Sequence, residues 1–272
     1  MKKIELINKS YVGVSVHISS DTKLQSLEQY INTNKEIFDK FKGVIVAANY
    51  ADAPGLDKRF NALIHRHHEV WLNYFDDVKF IDLDENLGHT FGTLDLDGSL
   101  FNYCKENDIE WLFKVNDDML YLDDFLEGEV PEADFYYYNG VGFGGMEKYE
   151  YDIDRIANED FYPQTTQYFI NTSKLPYIHK QETIDAAYDF VQKLPNYNGR
   201  VWEHIQGFTC EDLLKNAVTK NNLVKHHLTQ PTTYIRLLEF VKANQVHDCS
   251  HKQLIIDGTC HLQWPEQKCI II

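Results

Sequence analysis

Two short acidic segments hold most of the chemistry that this 272-residue chain can offer. The first is WLFKVNDDML, residues 111–120, an apolar strand that runs directly into Asn116, Asp117 and Asp118. Adjacent carboxylates at a strand end repel each other unless positive charge stands beside them. Mg²⁺ or Mn²⁺, which prefer hard oxygen ligands, would supply that charge and would also bridge phosphates. The plainer alternative is a solvated turn with an Asp cap. The second segment is GFTCEDLLKN, residues 207–216, where Glu211 and Asp212 open a helix. Free amides and the helix dipole favour carboxylates there, and an ionised carboxylate can also take the proton of an attacking hydroxyl. His226 and His227 alternate along LVKHHL, so at most one of them faces a site. His65, His67 and His68 read as packed or solvated positions on a helix. The late His247, Cys249, His251, Cys260 and His261 match no zinc spacing.

These groups need a scaffold, and the first 115 residues predict one. Val12, Val14, Val16 and Ile18 alternate as in a strand, and GVIVAANY (43–50), VKFID (78–82) and IEWLFKV (109–115) are apolar runs of strand length. Between them lie helical patterns: Leu24, Leu27, Ile31, Phe38 and Phe41; then Phe60, Leu63, Ile64 and His67; then residues 92–107. Strand and helix in strict alternation predict right-handed crossovers and a parallel sheet. Ligands bind such sheets at the carboxyl ends of the strands, where Asn49, Asp52, Asp82, Asp84 and the Asn116–Asp118 triplet fall. Beyond residue 126 the pattern weakens. Strands are predicted at 133–139 and 166–172 and helices at 180–193 and 209–219, with a long Tyr- and Gly-rich stretch over 140–164. Loops of that length in a compact domain are usually functional or mobile.

Composition narrows the classes. With 26 basic and 42 acidic residues the net charge is −16, and the bases do not cluster, which argues against nucleic acid or anionic membranes as partners. Hydrophobic residues at 43% and aromatics at 14% describe a chain with a core. Glu5, Asn8, Lys9 and Ser10 break the start of the chain before any signal-peptide core forms, and no apolar run reaches membrane-span length. Five cysteines without a CxxC pair fit reduced thiols, so the expected location is cytoplasmic.

The order of strand VGVSVHI, strand GVIVAANY, strand VKFIDLDE with Asn86-Leu87-Gly88, strand IEWLFKV and then an acidic triplet resembles the GT-A glycosyltransferases of the nucleotide-diphospho-sugar transferase superfamily, most of all the family-2-like members. The resemblance spans residues 11–126 and fades towards residue 230. It implies an α/β fold of GT-A type: a Rossmann-like, mostly parallel central sheet flanked by helices, with a less regular C-terminal acceptor half. The implied organisation is one domain over 1–243, with a nucleotide-sugar half (1–126) and an acceptor half (127–243), followed by a tail at 244–272. The implied reaction is metal-dependent, inverting transfer of a sugar from a nucleotide-diphosphate sugar, UDP-sugars foremost, to a hydroxyl of a carbohydrate or other acceptor.

By the same resemblance Asn49, Asp82, Asn86, Gly88, Asn116 and Asp117 bind the nucleotide-sugar. Asp118, in the place of the family's metal-binding Asp, holds Mn²⁺ or Mg²⁺ with Asp117 and His227. Asp212, or its neighbour Glu211, deprotonates the acceptor. One departure stands out: Asn116 occupies the place of the first Asp of the D-x-D motif, so it can hydrogen-bond a ribose hydroxyl but adds no charge. Tyr136, Tyr137, Tyr138, Phe143, Tyr149, Tyr151, Phe161 and Tyr162 bracket the expected acceptor loop, where rings stack on sugar faces. The rivals are a catalytically inactive GT-A-like carbohydrate-binding protein and a metal-dependent phosphoesterase. A nucleotidyltransferase is disfavoured, because His17-Ile18-Ser19-Ser20-Asp21 lacks the Gly-rich basic loop such an enzyme needs.

Overall fold

The computed structural model describes residues 1–19, 21–50, 58–87, 89–117, 119–121, 123–139, 161, 163–193, 209–228, 254–256 and 259–261. In chain order its elements are α1 (Lys3–Lys9), β1 (Tyr11–Ile18), α2 (Asp21–Phe38), β2 (Val44–Tyr50), α3 (Lys58–Leu72), β3 (Val78–Asp82), α4 (His89–Glu106), β4 (Trp111–Asn116), β5 (Met119–Tyr121), β6 (Phe135–Asn139), β7 (Pro163–Asn171), α5 (Lys180–Gln192), α6 (Thr209–Lys220), β8 (Lys225–His227), β9 (Leu254–Ile256) and β10 (Thr259–His261).

Seven strands form one sheet in the order β3-β2-β1-β4-β7-β6-β8. The pairs β1–β2, β2–β3, β1–β4 and β6–β8 are parallel, and β7 runs antiparallel to both neighbours. This is the mixed α/β, mostly parallel sheet that the alternation predicted. Both faces of β2 are covered and all seven of its residues are buried, which is why it reads as a continuous apolar run. The period-two alternation of β1 sorts its side chains. Val12, Val14 and Val16 join Val44, Val46, Phe113, Val115 and Phe169 in a core closed by Leu6 and Ile7 of α1 and by Leu24, Leu27 and Ile31 of α2. Ile45, Ala47, Leu112, Tyr168 and Ile170 form the opposite core with Leu96, Leu100, Phe101 and Cys104 of α4 and with Leu214 and Val218 of α6.

The helix α1 was not expected from the sequence. Its buried Leu6 and Ile7 share one turn with four charged or polar neighbours, too short a stripe to show a period. A second difference concerns residues 244–272. Part of this polar segment is tied back into the fold, because β10 pairs antiparallel with β5, Cys260 opposite Leu120, and β9 pairs with β10. This small sheet begins at Met119, immediately after the acidic triplet. The aromatic stretch 140–160 lies outside the described residues. No helix among the described residues is long and apolar enough to cross a membrane.

Candidate active site

The chain order reverses between β1 and β4: β1 is followed outward by β2 and β3, and α4 then crosses back to bring β4 to the other side of β1. In open parallel sheets the crevice at such a point is where ligands sit. Asn116, the last residue of β4, stands in register with Ser15 of β1. Asp117 follows at once, its side chain 12% exposed, in an ion pair with Lys23 from the first turn of α2. Asp118 and Gly88 lie outside the described residues.

Lys114, two residues before Asn116, joins the two acidic segments. It shares a sheet face with Leu112 and Asn116, and although it is a lysine it is fully buried. Its ammonium donates to Asn116 Oδ1 at 2.6 Å and to the carbonyl of Thr165 on β7 at 2.5 Å, and it pairs with Asp97 Oδ1 of α4 at 3.2 Å. Asp97 in turn accepts from the hydroxyls of Ser15 (2.8 Å) and Tyr168 (3.4 Å). Burial pushes the Asp97 carboxyl upward, with Lys114 and Ser15 pulling against it. A buried charge is tolerated only when paired and hydrogen-bonded, and this one is. From the other direction the Thr165 hydroxyl donates to Glu211 Oε1 at 2.6 Å. Asn116, Lys114, Thr165 and Glu211 therefore form one continuous hydrogen-bonded bridge from the end of β4 to the start of α6.

Glu211 and Asp212 part company in this setting. Glu211 is partly exposed and bonded into the bridge, and burial raises its carboxyl above the usual range, with the Thr165 hydroxyl and the Lys114 charge opposing. Asp212 is 4% exposed. Of the two residues Glu211 is the more exposed.

Asn49 lies on the same sheet face as Lys114. It is buried and accepts from His17 Nδ1 at 2.7 Å, which places the ring proton on Nδ1, because a carboxamide oxygen only accepts. A Cβ on Gly92 in the first turn of α4 would come within 2.9 Å of Asn49 Nδ2 and 3.9 Å of Asn86 Oδ1. Glycine thus lets the start of α4 approach both Asn side chains.

Asp82 sits on the opposite face, paired in register with Ala48. Tyr50 donates to its Oδ1 at 2.5 Å and His68 Nε2 contacts Oδ2 at 2.9 Å. The largest influence on Asp82 is burial, which raises its pKa, but the His68 and Tyr50 hydrogen bonds outweigh it and the net shift is downward. Behind Tyr50 lies His67, with Nδ1 3.0 Å from the phenol oxygen, and the indole of Trp71 donates to His67 Nε2 at 3.1 Å.

His67, His68 and Asp82 bring three ligand-type atoms within 4.8 Å of one another, yet they do not fit a metal. Trp71 leaves Nε2 of His67 as an acceptor, so Nδ1 carries the proton of the neutral ring, whereas a metal-bound imidazole gives one nitrogen to the ion and keeps N–H on the other. The cluster is a hydrogen-bond relay that holds Asp82. The reading of His67 and His68 as packed positions missed this partnership.

His227 is in register with Tyr137, which pairs with Tyr168, which pairs with Lys114. The row puts His227 three strands from β4, roughly 14 Å at the usual strand spacing, so the structure does not bring it together with Asp117. Its ring stacks on Tyr137 at 5.2 Å, and burial lowers its pKa. A small crevice of about 50 Å³ between α4 and α5, bounded by Phe91, Asp95, Asn102 and Lys180, contains none of the expected site residues.

No protein-family model and no curated protein matches this chain. Among solved structures it is similar to a galactosyltransferase, LgtC, in complex with donor and acceptor sugar analogs, with 10% identity and a TM-score of 0.44 over 80% of this chain and 73% of that one. A likeness that distant carries no argument about activity.

Four residues of the site went unrecognised in the sequence: Lys114, Asp97, Ser15 and Thr165. For Lys114 a signal exists, a lone cation inside an otherwise apolar strand two residues before the acidic triplet. Asp97, in LDLDG, is a carboxylate on the apolar stripe of α4. Ser15 and Thr165 carry no comparable mark.

Proposed function

We propose that this protein is a glycosyltransferase that binds a nucleotide-diphosphate sugar at the β1–β4 edge and transfers the sugar to a hydroxyl acceptor. The observation that carries this reading is the bridge from Asn116 through Lys114 and Thr165 to Glu211. It joins polar groups suited to a nucleotide with a carboxylate suited to a hydroxyl. Asn49, Asn86, Asn116 and Asp117 contact the nucleotide-sugar in this reading, and Asp82, held by Tyr50 and His68, offers acceptor oxygens at the sheet's outer edge. Glu211 takes the acceptor proton, a role for which a carboxylate shifted upward by burial is better suited than an ordinary one, because it binds the proton more firmly. Asp212 supports the first turn of α6.

Asp117 and Asp118 are hard oxygen donors of the kind that hold Mn²⁺ or Mg²⁺. A divalent ion there would offset charge on the departing diphosphate. Lys23 already neutralises Asp117 on this edge, so a divalent ion would compete with it for that carboxylate. Calorimetry with UDP, GDP and dTDP, each with and without Mn²⁺, tests the reading: binding of one of them that strengthens with metal supports it, and indifference to all of them overturns it.

A further inference from the structure

Asn116 stands where a charged residue would strengthen a metal site, and the buried Lys114 accounts for its being an amide. An ammonium has three hydrogens and no lone pair. Those of Lys114 face Asn116 Oδ1 at 2.6 Å, the Thr165 carbonyl at 2.5 Å and Asp97 Oδ1 at 3.2 Å. The amide oxygen of Asn116, not its nitrogen, must therefore face Lys114. Lys114 has no freedom to release it, being wholly buried on a central strand between α4 and β7. With Oδ1 committed, the planar carboxamide also fixes where its two Nδ2–H donors lie, and neither can be spent on the ammonium, which has no lone pair to accept them. An aspartate at this position would reverse that polarity. It would put a second carboxylate on one buried cation that Asp97 already neutralises, leaving a net negative charge that a buried site tolerates poorly, and it would offer the ligand lone pairs only.

We infer that Lys114 is a positioning residue that fixes the Asn116 amide as a hydrogen-bond donor to a lone-pair oxygen of the nucleotide, so that this position reads the ligand rather than a metal ion. The oxygen belongs either to a phosphate or to a ribose hydroxyl, and both present the same acceptor chemistry. The assignment rests on the nucleotide-binding reading above.

The test is calorimetry of UDP, inorganic pyrophosphate and uridine, each with and without Mn²⁺, on the wild-type protein, N116D and N116A. N116D is expected to bind UDP at least about tenfold more weakly, in Mn²⁺ as well as without it, and N116A several-fold more weakly, as loss of a charge-assisted hydrogen bond predicts. A loss seen also with pyrophosphate identifies a phosphate oxygen, and one seen with uridine identifies the ribose. The same N116D change in a K114M/D97N background, which removes the ammonium and its counter-charge together, is expected to cost much less, because the amide is no longer held. UDP binding by N116D equal to or tighter than wild type in Mn²⁺ overturns the inference, as does an equal N116D penalty in both backgrounds. Should the double background not fold, N116D against N116A in the native background still decides. Wild-type protein that binds neither UDP nor pyrophosphate overturns the nucleotide-binding reading itself, a result distinct from insensitivity to N116D.

Discussion

Replacing His67 should change how stability depends on pH by an amount the structure fixes. The ring is 0% exposed, accepts from Trp71 and faces the Tyr50 hydroxyl. Burial lowers its pKa to about 3 from 6.5, with Asp82 opposing the shift and His68 adding to it. In the unfolded chain the same ring titrates near 6.5. The folded pKa is the lower one, so the stability this ring contributes is present above pH 6.5 and is lost as pH falls towards 3, the unfolded state gaining the proton first. At pH 5, some 1.5 units below the unfolded pKa, the loss is about 2 kcal/mol. H67Q keeps polar atoms near Trp71 and Tyr50 but does not titrate. Urea unfolding at pH 7.5 and pH 5.0 should therefore show the wild type losing about 2 kcal/mol more than H67Q across that interval, whatever the offset between them at pH 7.5. Equal losses, or an NMR titration of His67 near pH 6.5, would refute the buried neutral ring and the relay built on it.

E211Q should lower turnover by about two to four orders of magnitude with nucleotide affinity unchanged, while D212N, which keeps the size and polarity of a buried side chain in the first turn of α6, should retain most activity; steady-state kinetics with calorimetry separates the two. Because the Glu211 carboxyl is shifted upward and must be ionised to accept a proton, the acid limb of the pH–rate profile should fall at a pH above that of an ordinary glutamate, and E211Q should abolish that limb. Y50F leaves His67 Nδ1–H without its acceptor and removes a donor to Asp82, so thermal or urea unfolding should show a loss of about 1–3 kcal/mol. G92A introduces a methyl 2.9 Å from Asn49 Nδ2, and since Asn49 is buried and held by His17 the helix must yield, at a cost of about 1–3 kcal/mol together with weaker UDP binding.

What the sequence revealed and what it hid follow from the reach of each interaction. The parallel half of the sheet was legible because burial on both faces leaves long apolar runs such as Val44–Tyr50, and because the intervening helices repeat at helical spacing. The placement of Asn116, Asp117, Glu211 and Asn49 at the ends of strands or the start of a helix was legible because polar groups there interrupt the local apolar pattern. The partners were not. Nothing in WLFKVN says that Lys114 meets Asp97 and Thr165, since that contact depends on the strand order β1-β4-β7 and on β7 running antiparallel. The same strand order put His227 three strands away from Asp117, although the family resemblance implied it as a ligand. Asp82 was identified as a site residue, but its position on the opposite face from Asn116, held through Tyr50 and His68, required the register of β2 with β3.

The central claim is that the β1–β4 edge and the start of α6 form one site for nucleotide-diphosphate sugars. Its most direct test is release of the nucleoside diphosphate from a panel of UDP-, GDP- and dTDP-sugars, by wild-type protein and E211Q side by side. The account predicts slow hydrolysis of at least one donor by the wild type and little or none by E211Q at equal donor affinity. No release from any donor, or release undiminished in E211Q, would contradict it.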